Sequence, residues 1–186
     1  SGKPVGSIKS MLSDQSLNKY SQFTISSNSL VTDVDYFNNT VLSNGEIAFV
    51  HGDSTYNDLA LTIINETGSI TNSSSLSSQS SSIMRYANIT SLFNDTFVIT
   101  YSEYINTTIK YDLYFKIYSQ DGNLIHQDLV DNSNNNQDQS FVISNSSGFS
   151  IYYRDNLDVY YQNYDFNGNK IGSKIKLNND SIGGDQ

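Results

Sequence analysis

The sequence predicts an all-β fold: three repeated four-stranded antiparallel meanders, propeller-blade-like or packed as a sandwich, plus an orphan N-terminal strand. Three observations predict it. Helix formers are scarce, with 3 Ala and 3 Glu among 186 residues, while the β-favouring aromatics supply 14 Tyr and 9 Phe. One pattern of short apolar runs and turn residues occurs three times along the chain. Within the runs, side chains alternate. In Tyr111 to Tyr118 the odd-numbered Tyr111, Leu113, Phe115 and Ile117 share one face, and Asp112, Tyr114, Lys116 and Tyr118 share the other.

Taken in order, residues 1–12 carry GKPVGSIKSML, which matches only the final strand of a unit, GNKIGSKIKLN from Gly168. This orphan strand is expected to complete a unit of its own chain or of a neighbour by strand addition. Residues 18–35 form an insertion in which Phe23-Thr24-Ile25 and Leu30-Val31 supply one or two further strands. Repeat 1, residues 13–71, contains that insertion and then LSNGEIAFVHGDSTYNDLALTIINETGSIT, with Ile47 to His51 as its inner strand and Gly68 at its hairpin. The serine-rich run Asn72 to Ser82 reads as an inter-repeat connection.

Repeat 2, residues 83–130, aligns Phe97 to Tyr101 with Phe149 to Tyr153 of repeat 3, and Asp121-Gly122 with Asn167-Gly168. The asparagine-rich run Asp131 to Gln139 is the second connection. Repeat 3, residues 139–179, is the clearest unit, and Asn167-Gly168 predicts a two-residue type I′ hairpin. Gly2, Gly68, Gly122 and Gly168 fall 66, 54 and 46 residues apart, which fits one supersecondary unit with loop insertions. The many tyrosines on the second face of each unit predict sheets stacked face to face, with each phenol hydroxyl at the wet edge.

The run YYQNYDFNGNKIGSKIKLN, preceded by GFSIYY, resembles the tandem repeats of very large surface and secreted proteins of bacteria and ciliates. Tyr160, Gln162, Tyr164, Asp165, Asn167, Gly168, Gly172 and Asn178 carry the resemblance. The middle unit keeps Tyr118, Asp121 and Gly122 but has Lys116 in place of the glutamine, and the first keeps Gly68. The resemblance implies blade-like four-stranded units and says nothing about catalysis. Three units fall short of the roughly 4–8 blades that close a propeller. Either the chain belongs to a longer array, or the units pack as an open sandwich, or copies join end to end into a filament.

A net charge of −9 disfavours nucleic acid and anionic lipid as partners. The absence of cysteine excludes disulfides, thiolate metal sites and a cysteine nucleophile. No apolar run reaches the roughly 18 residues of a membrane span, and none has the form of a signal peptide. The two histidines, His51 and His126, fall on repeat strands and read as structural. The acidic turns Asp121-Gly122-Asn123 and Asp165 to Asn169 lack the further carboxylates of a calcium loop. Ser119 to Gly122 resembles the Asp-box turn of sialidase-like propellers only in part, and Glu46, Glu66 and Glu103 lie in no glycosidase motif.

Eight Asn-x-Ser/Thr sequons, at Asn38, Asn65, Asn72, Asn88, Asn94, Asn106, Asn145 and Asn179, are candidate glycosylation sites. Together these readings predict an extracellular structural glycoprotein: a subunit of a surface array, adhesin or fibril, with no catalytic role and no cofactor or metal. Its expected partners are covalently attached glycans and further copies joined by strand addition. The alternatives are a carbohydrate-binding module presenting Tyr104, Tyr114, Tyr153 or Tyr160, and a fragment of a glycosidase propeller.

Overall fold

A computed structural model describes residues 9–13, 19–24, 37–52, 58–76, 82–105 and 110–179. Among them every element is a strand or a turn. Strands β1 (Lys9–Ser13) and β2 (Lys19–Thr24) pair antiparallel. Blade 1 comprises β3 (Phe37–Val41), β4 (Ile47–Gly52), β5 (Leu59–Ile64) and β6 (Ile70–Ser75). Blade 2 comprises β7 (Ser82–Ser91), β8 (Thr96–Ile105), β9 (Lys110–Ser119) and β10 (Leu124–Leu129). Blade 3 comprises β11 (Gln137–Asn145), β12 (Gly148–Asp155), β13 (Asp158–Asp165) and β14 (Lys170–Lys176). Each blade is an antiparallel meander paired in chain order.

Several expectations shift in detail. The orphan strand β1 pairs with β2, which takes up Phe23 and Thr24 of the expected insertion strand; this hairpin stays outside the three four-stranded sheets. Leu30-Val31 and the segment before Lys9 lie outside the described residues. The expected connection at Asn72 overlaps β6, which runs to Ser75, and β11 begins at Gln137 inside the second expected connection. Ile47 to His51 belongs to the second strand of its blade. The innermost position goes to β3, β7 and β11, which contact one another across neighbouring blades.

The turns share one geometry. At Leu42–Glu46, Asn65–Ser69, Leu92–Thr96, Ser119–Asn123 and Asp165–Asn169 the first residue's N–H donates to the carbonyl four residues on, and the fourth residue's N–H donates back to the first, except that no such back bond is seen at Leu92. The fourth position is left-handed, with Gly45, Gly68, Gly122 and Gly168 at φ 79–88° and Asp95 at 61°. Gly168 alone carries positive φ in its turn. The type I′ expectation at Asn167-Gly168 is therefore replaced by a longer turn closed by a left-handed glycine. The first strands of blades 2 and 3 also carry a bulge at equivalent places, with Tyr86 and Gln139 at φ 57° and 51°.

Alternation then builds two cores. Between blades 1 and 2, Val50, Leu61 and Ile63 meet Phe97, Ile99, Tyr101 and Tyr118. Between blades 2 and 3, Val98, Leu113, Phe115 and Ile117 meet Phe149, Ile151, Tyr153 and Tyr164. The two faces of β9 thus serve different neighbours, as the period of two requires. Aromatic pairs stack within each layer, Phe97 on Tyr118 at 5.3 Å and Phe149 on Tyr164 at 5.1 Å. The Tyr164 hydroxyl departs from the wet-edge expectation: it is buried and donates to the Val130 carbonyl at 3.3 Å.

Polar ties pin the blades in register. Ser140 Oγ donates to Thr100 Oγ1 at 2.9 Å, and Asn72 Nδ2 donates to the Asp121 carbonyl at 2.8 Å. Asp131, in the blade 2 to blade 3 connection, accepts from Lys174 and from the Tyr153 hydroxyl. Burial alone would raise its pKa, but those bonds and the Lys174 charge outweigh burial and hold the carboxyl below its ordinary 3.8. Lys176 and Asn178 hold Asp158 down, and Asn169 does the same for Asp165.

A carboxylate depressed in the folded state contributes stability above its unfolded pKa and loses it as pH falls through the folded value. The melting temperature is expected to stay nearly level from neutrality to about pH 5 and to drop below about pH 4. A calorimetric pH series checks this, with Asp131→Asn expected to flatten part of the acid slope.

Candidate functional site

The repeat alignment makes equivalent positions comparable, and it singles out the open end of the blade series. On blade 1 the face turned toward blade 2 presents Ala48, Val50, Leu59, Leu61 and Ile63, all buried. On blade 2 the corresponding positions are Val98, Thr100, Leu113, Phe115 and Ile117, again all buried. On blade 3 they are Ser150, Tyr152, Val159, Tyr161 and Asn163. No described blade covers this face.

Two cross-strand rows define it. Phe141, Tyr152, Tyr161 and Ile175 lie opposite one another across β11 to β14, and Ile143, Ser150, Asn163 and Ile171 form the next row. Phe141 is 57% exposed, and Ile143, Ile171 and Ile175 are each exposed by nearly half. Tyr152 and Tyr161 stack at 5.5 Å, and Ser150 Oγ donates to Asn163 Oδ1 at 2.6 Å. At one margin Arg154 forks onto both oxygens of Asp138 at 2.7 Å. Four exposed apolar side chains thus lie in two adjacent rows on one sheet face. The face combines aromatic and aliphatic side chains with one neutral ion pair, Arg154 with Asp138.

The tyrosines proposed for sugar stacking divide differently. Tyr153 is buried between blades 2 and 3 with its hydroxyl on Asp131, and Tyr160 packs against the same core under Lys174 Nζ, 4.6 Å from its ring. Tyr114 stacks on Tyr101, and Tyr104 lies against Tyr111. Burial pushes the phenols of Tyr101, Tyr153 and Tyr164 far up, and that of Tyr118 up to about 12, so all four stay neutral and packed. Tyr152 and Tyr161 are the pair at the open face, and the sequence reading passed over them. The available signal was the exchange of Val98 and Ile117 for Ser150 and Asn163 between aligned repeats.

The other candidate groups are accounted for by structure. His51 is buried; its Nδ1 lies 3.0 Å from the Gly52 carbonyl and so carries the proton, leaving Nε2 to accept from Thr62 Oγ1 at 3.0 Å. His126 packs beside Phe115 and against Gly168. Asp165 Oδ1 accepts from the N–H groups of Asn167 and Asn169, which closes its turn.

Glu103 and Asp112 face each other across β8 and β9, but they are 6% and 8% exposed in the wall between two blades, where a sugar has no access. Lys110 Nζ stands 2.8 Å from Asp112. Among the described residues no group of three or more metal-ligating side chains could hold an ion, and no helix is long and apolar enough to cross a membrane.

The sequons fall in varied settings. Asn94 and Asn179 are exposed, and Asn106 lies outside the described residues. Asn38 is half-buried on β3, and Asn72 reaches across to the Asp121 carbonyl. Asn65 and Asn145 use their Oδ1 to accept turn N–H groups from Thr67, Ser69 and Ser147. Asn88 is 9% exposed and accepts from the Val142 N–H at 3.4 Å, so a sugar there would have to displace β11.

Fold and site together define a propeller-type β protein in which, among the described residues, no blade covers the outer face of blade 3. No protein-family model matches the sequence, and no curated protein matches it either. Among solved structures the chain is similar to a subtype N10 neuraminidase-like protein of A/little yellow-shouldered bat/Guatemala/060/2010, at 11% identity and a TM-score of 0.55. The match covers 83% of this chain and 49% of that one, so the three-blade chain spans about half the length of this structural neighbour. The likeness supports the propeller fold and carries no residue roles.

Proposed function

We propose that this chain is a non-catalytic structural module of an extracellular or cell-surface assembly, such as an array, adhesin or fibril, which docks to further blades through the open face of blade 3. The observation that supports it is the contrast between faces. Two dry inter-blade faces are followed by a third that keeps the sheet geometry and an apolar rim but trades its centre for tyrosine, serine and asparagine. A face of that kind stays soluble when uncovered and still packs reversibly when covered. The polar, acidic surface and the exposed sequon at Asn179 support a secreted, glycosylated setting.

The test is sedimentation velocity over a concentration series, with negative-stain microscopy at the highest concentration. Wild-type chain is expected to form dimers and longer species, and Phe141→Glu to remain monomeric at unchanged melting temperature, because Phe141 is exposed. Deleting residues 1–12 separates the two routes of assembly. Loss of assembly in the deletion alone would transfer the contact to strand addition. Intact mass of native material before and after enzymatic deglycosylation reports the glycans.

A further inference from the structure

We infer that the cleft where the turns of the three blades converge, at one end of the innermost strands, is a binding site for a neutral saccharide. This inference is independent of the docking face. The cleft has a volume of about 340 Å³ and is lined by Val41, Ser43, Ser91, Phe93, Asp95 and Ser144, among others, drawn from the ends of β3, β7 and β11. That volume holds a mono- or disaccharide unit at the lower end of the usual ligand-pocket range of about 300–1,000 Å³.

Two features of the cleft stand out from the rest of the fold. Phe93 is 72% exposed and Val41 62% exposed, so the fold gains little from either apolar side chain. Asp95 occupies the left-handed position that glycine fills in the four sister turns. A side chain at that position costs on the order of 1 kcal/mol, so local turn geometry alone favours glycine there. What the aspartate adds is a carboxylate that accepts from Ser43 Oγ at 2.7 Å, while Ser43 in turn accepts from Gln120 Nε2. Asp95 is thereby fixed across the gap between blades 1 and 2, with Oδ1 engaged and Oδ2 left for a ligand.

The chemistry that fits is a pyranose. An exposed aromatic ring takes its C–H face, a fixed carboxylate accepts from its hydroxyls, and serine hydroxyls donate and accept around the rim. An acidic sugar is excluded by Asp95 and by the net charge of −9.

The experiment uses the full chain, isotopically labelled and produced without glycosylation, because Asn94 shares the turn with Phe93 and Asp95. Maltotriose, mannotriose, chitotriose and sialyllactose are titrated against it by heteronuclear NMR. At least one of the three neutral saccharides is expected to shift the amides of Ser43, Phe93, Asp95 and Ser144 in a saturable way, with sialyllactose at least ten-fold weaker. Phe93→Ala and Asp95→Gly should each weaken that binding at least ten-fold. Both should leave the melting temperature within a few degrees, since Phe93 is exposed and glycine suits the Asp95 conformation. No saturable shift with any neutral saccharide, a preference for sialyllactose, or wild-type binding by both variants would overturn the assignment.

Discussion

Gly148→Ala is expected to disrupt blade 3. Gly148 opens β12 at φ 149°, and a methyl group there would sit 2.0 Å from the Tyr164 carbonyl oxygen and 2.8 Å from the Asp165 backbone. Those atoms belong to the paired strand β13, so relief requires the ladder itself to move. A loss of about 3 kcal/mol or more is expected, or roughly 6–12 °C in melting temperature for a chain of this size. Gly45→Ala is the matched control. Gly45 is also left-handed, at φ 85°, but a methyl group would meet nothing within 4 Å, so only the conformational cost of about 1 kcal/mol remains. Equal losses from the two variants, measured by thermal denaturation, would show that the close contact at Gly148 is not limiting.

Phe115→Ala is the second large effect. Phe115 is fully buried between blades 2 and 3, with ring centroids 4.9 Å from Tyr164, 5.5 Å from Phe149 and 5.7 Å from His126. Truncating such a ring costs about 3–5 kcal/mol, through lost transfer energy and the cavity left behind. In a series of blades that contact only their neighbours, the damage should be local. Hydrogen exchange is expected to accelerate in β11 to β14 far more than in β3 to β6. Uniform acceleration throughout would mean that the three blades unfold as one unit.

The parts of this fold legible in the sequence are those where one residue type has one physical use. Period-two alternation in Tyr111 to Tyr118 assigns the two faces of β9, and Gly68, Gly122 and Gly168 mark hairpins because their turns need positive φ. Other elements lack such a signal along part or all of their length. FNNTV of β3 and ITNSSS of β6 bury no side chain fully, and both are strands because ladders to β4 and β5 hold them. Tyr86 and Gln139 bulge without a glycine to announce it.

The candidate site was half legible for a related reason. Alternation puts Tyr152 and Tyr161 opposite Tyr153 and Tyr160, but which pair meets water depends on whether another blade follows, and no local pattern encodes that. Asp95 is readable only by comparison, once the five turns are laid side by side and four of them place glycine where it stands.

The central claim, that the open face of blade 3 is a docking surface, is tested most directly by sedimentation velocity on wild-type and Phe141→Glu chains at matched concentrations. The claim predicts that the wild-type weight-average sedimentation coefficient rises with concentration while that of the variant stays at the monomer value. A wild-type chain that remains monomeric across the series, or a variant that assembles equally well, would contradict it.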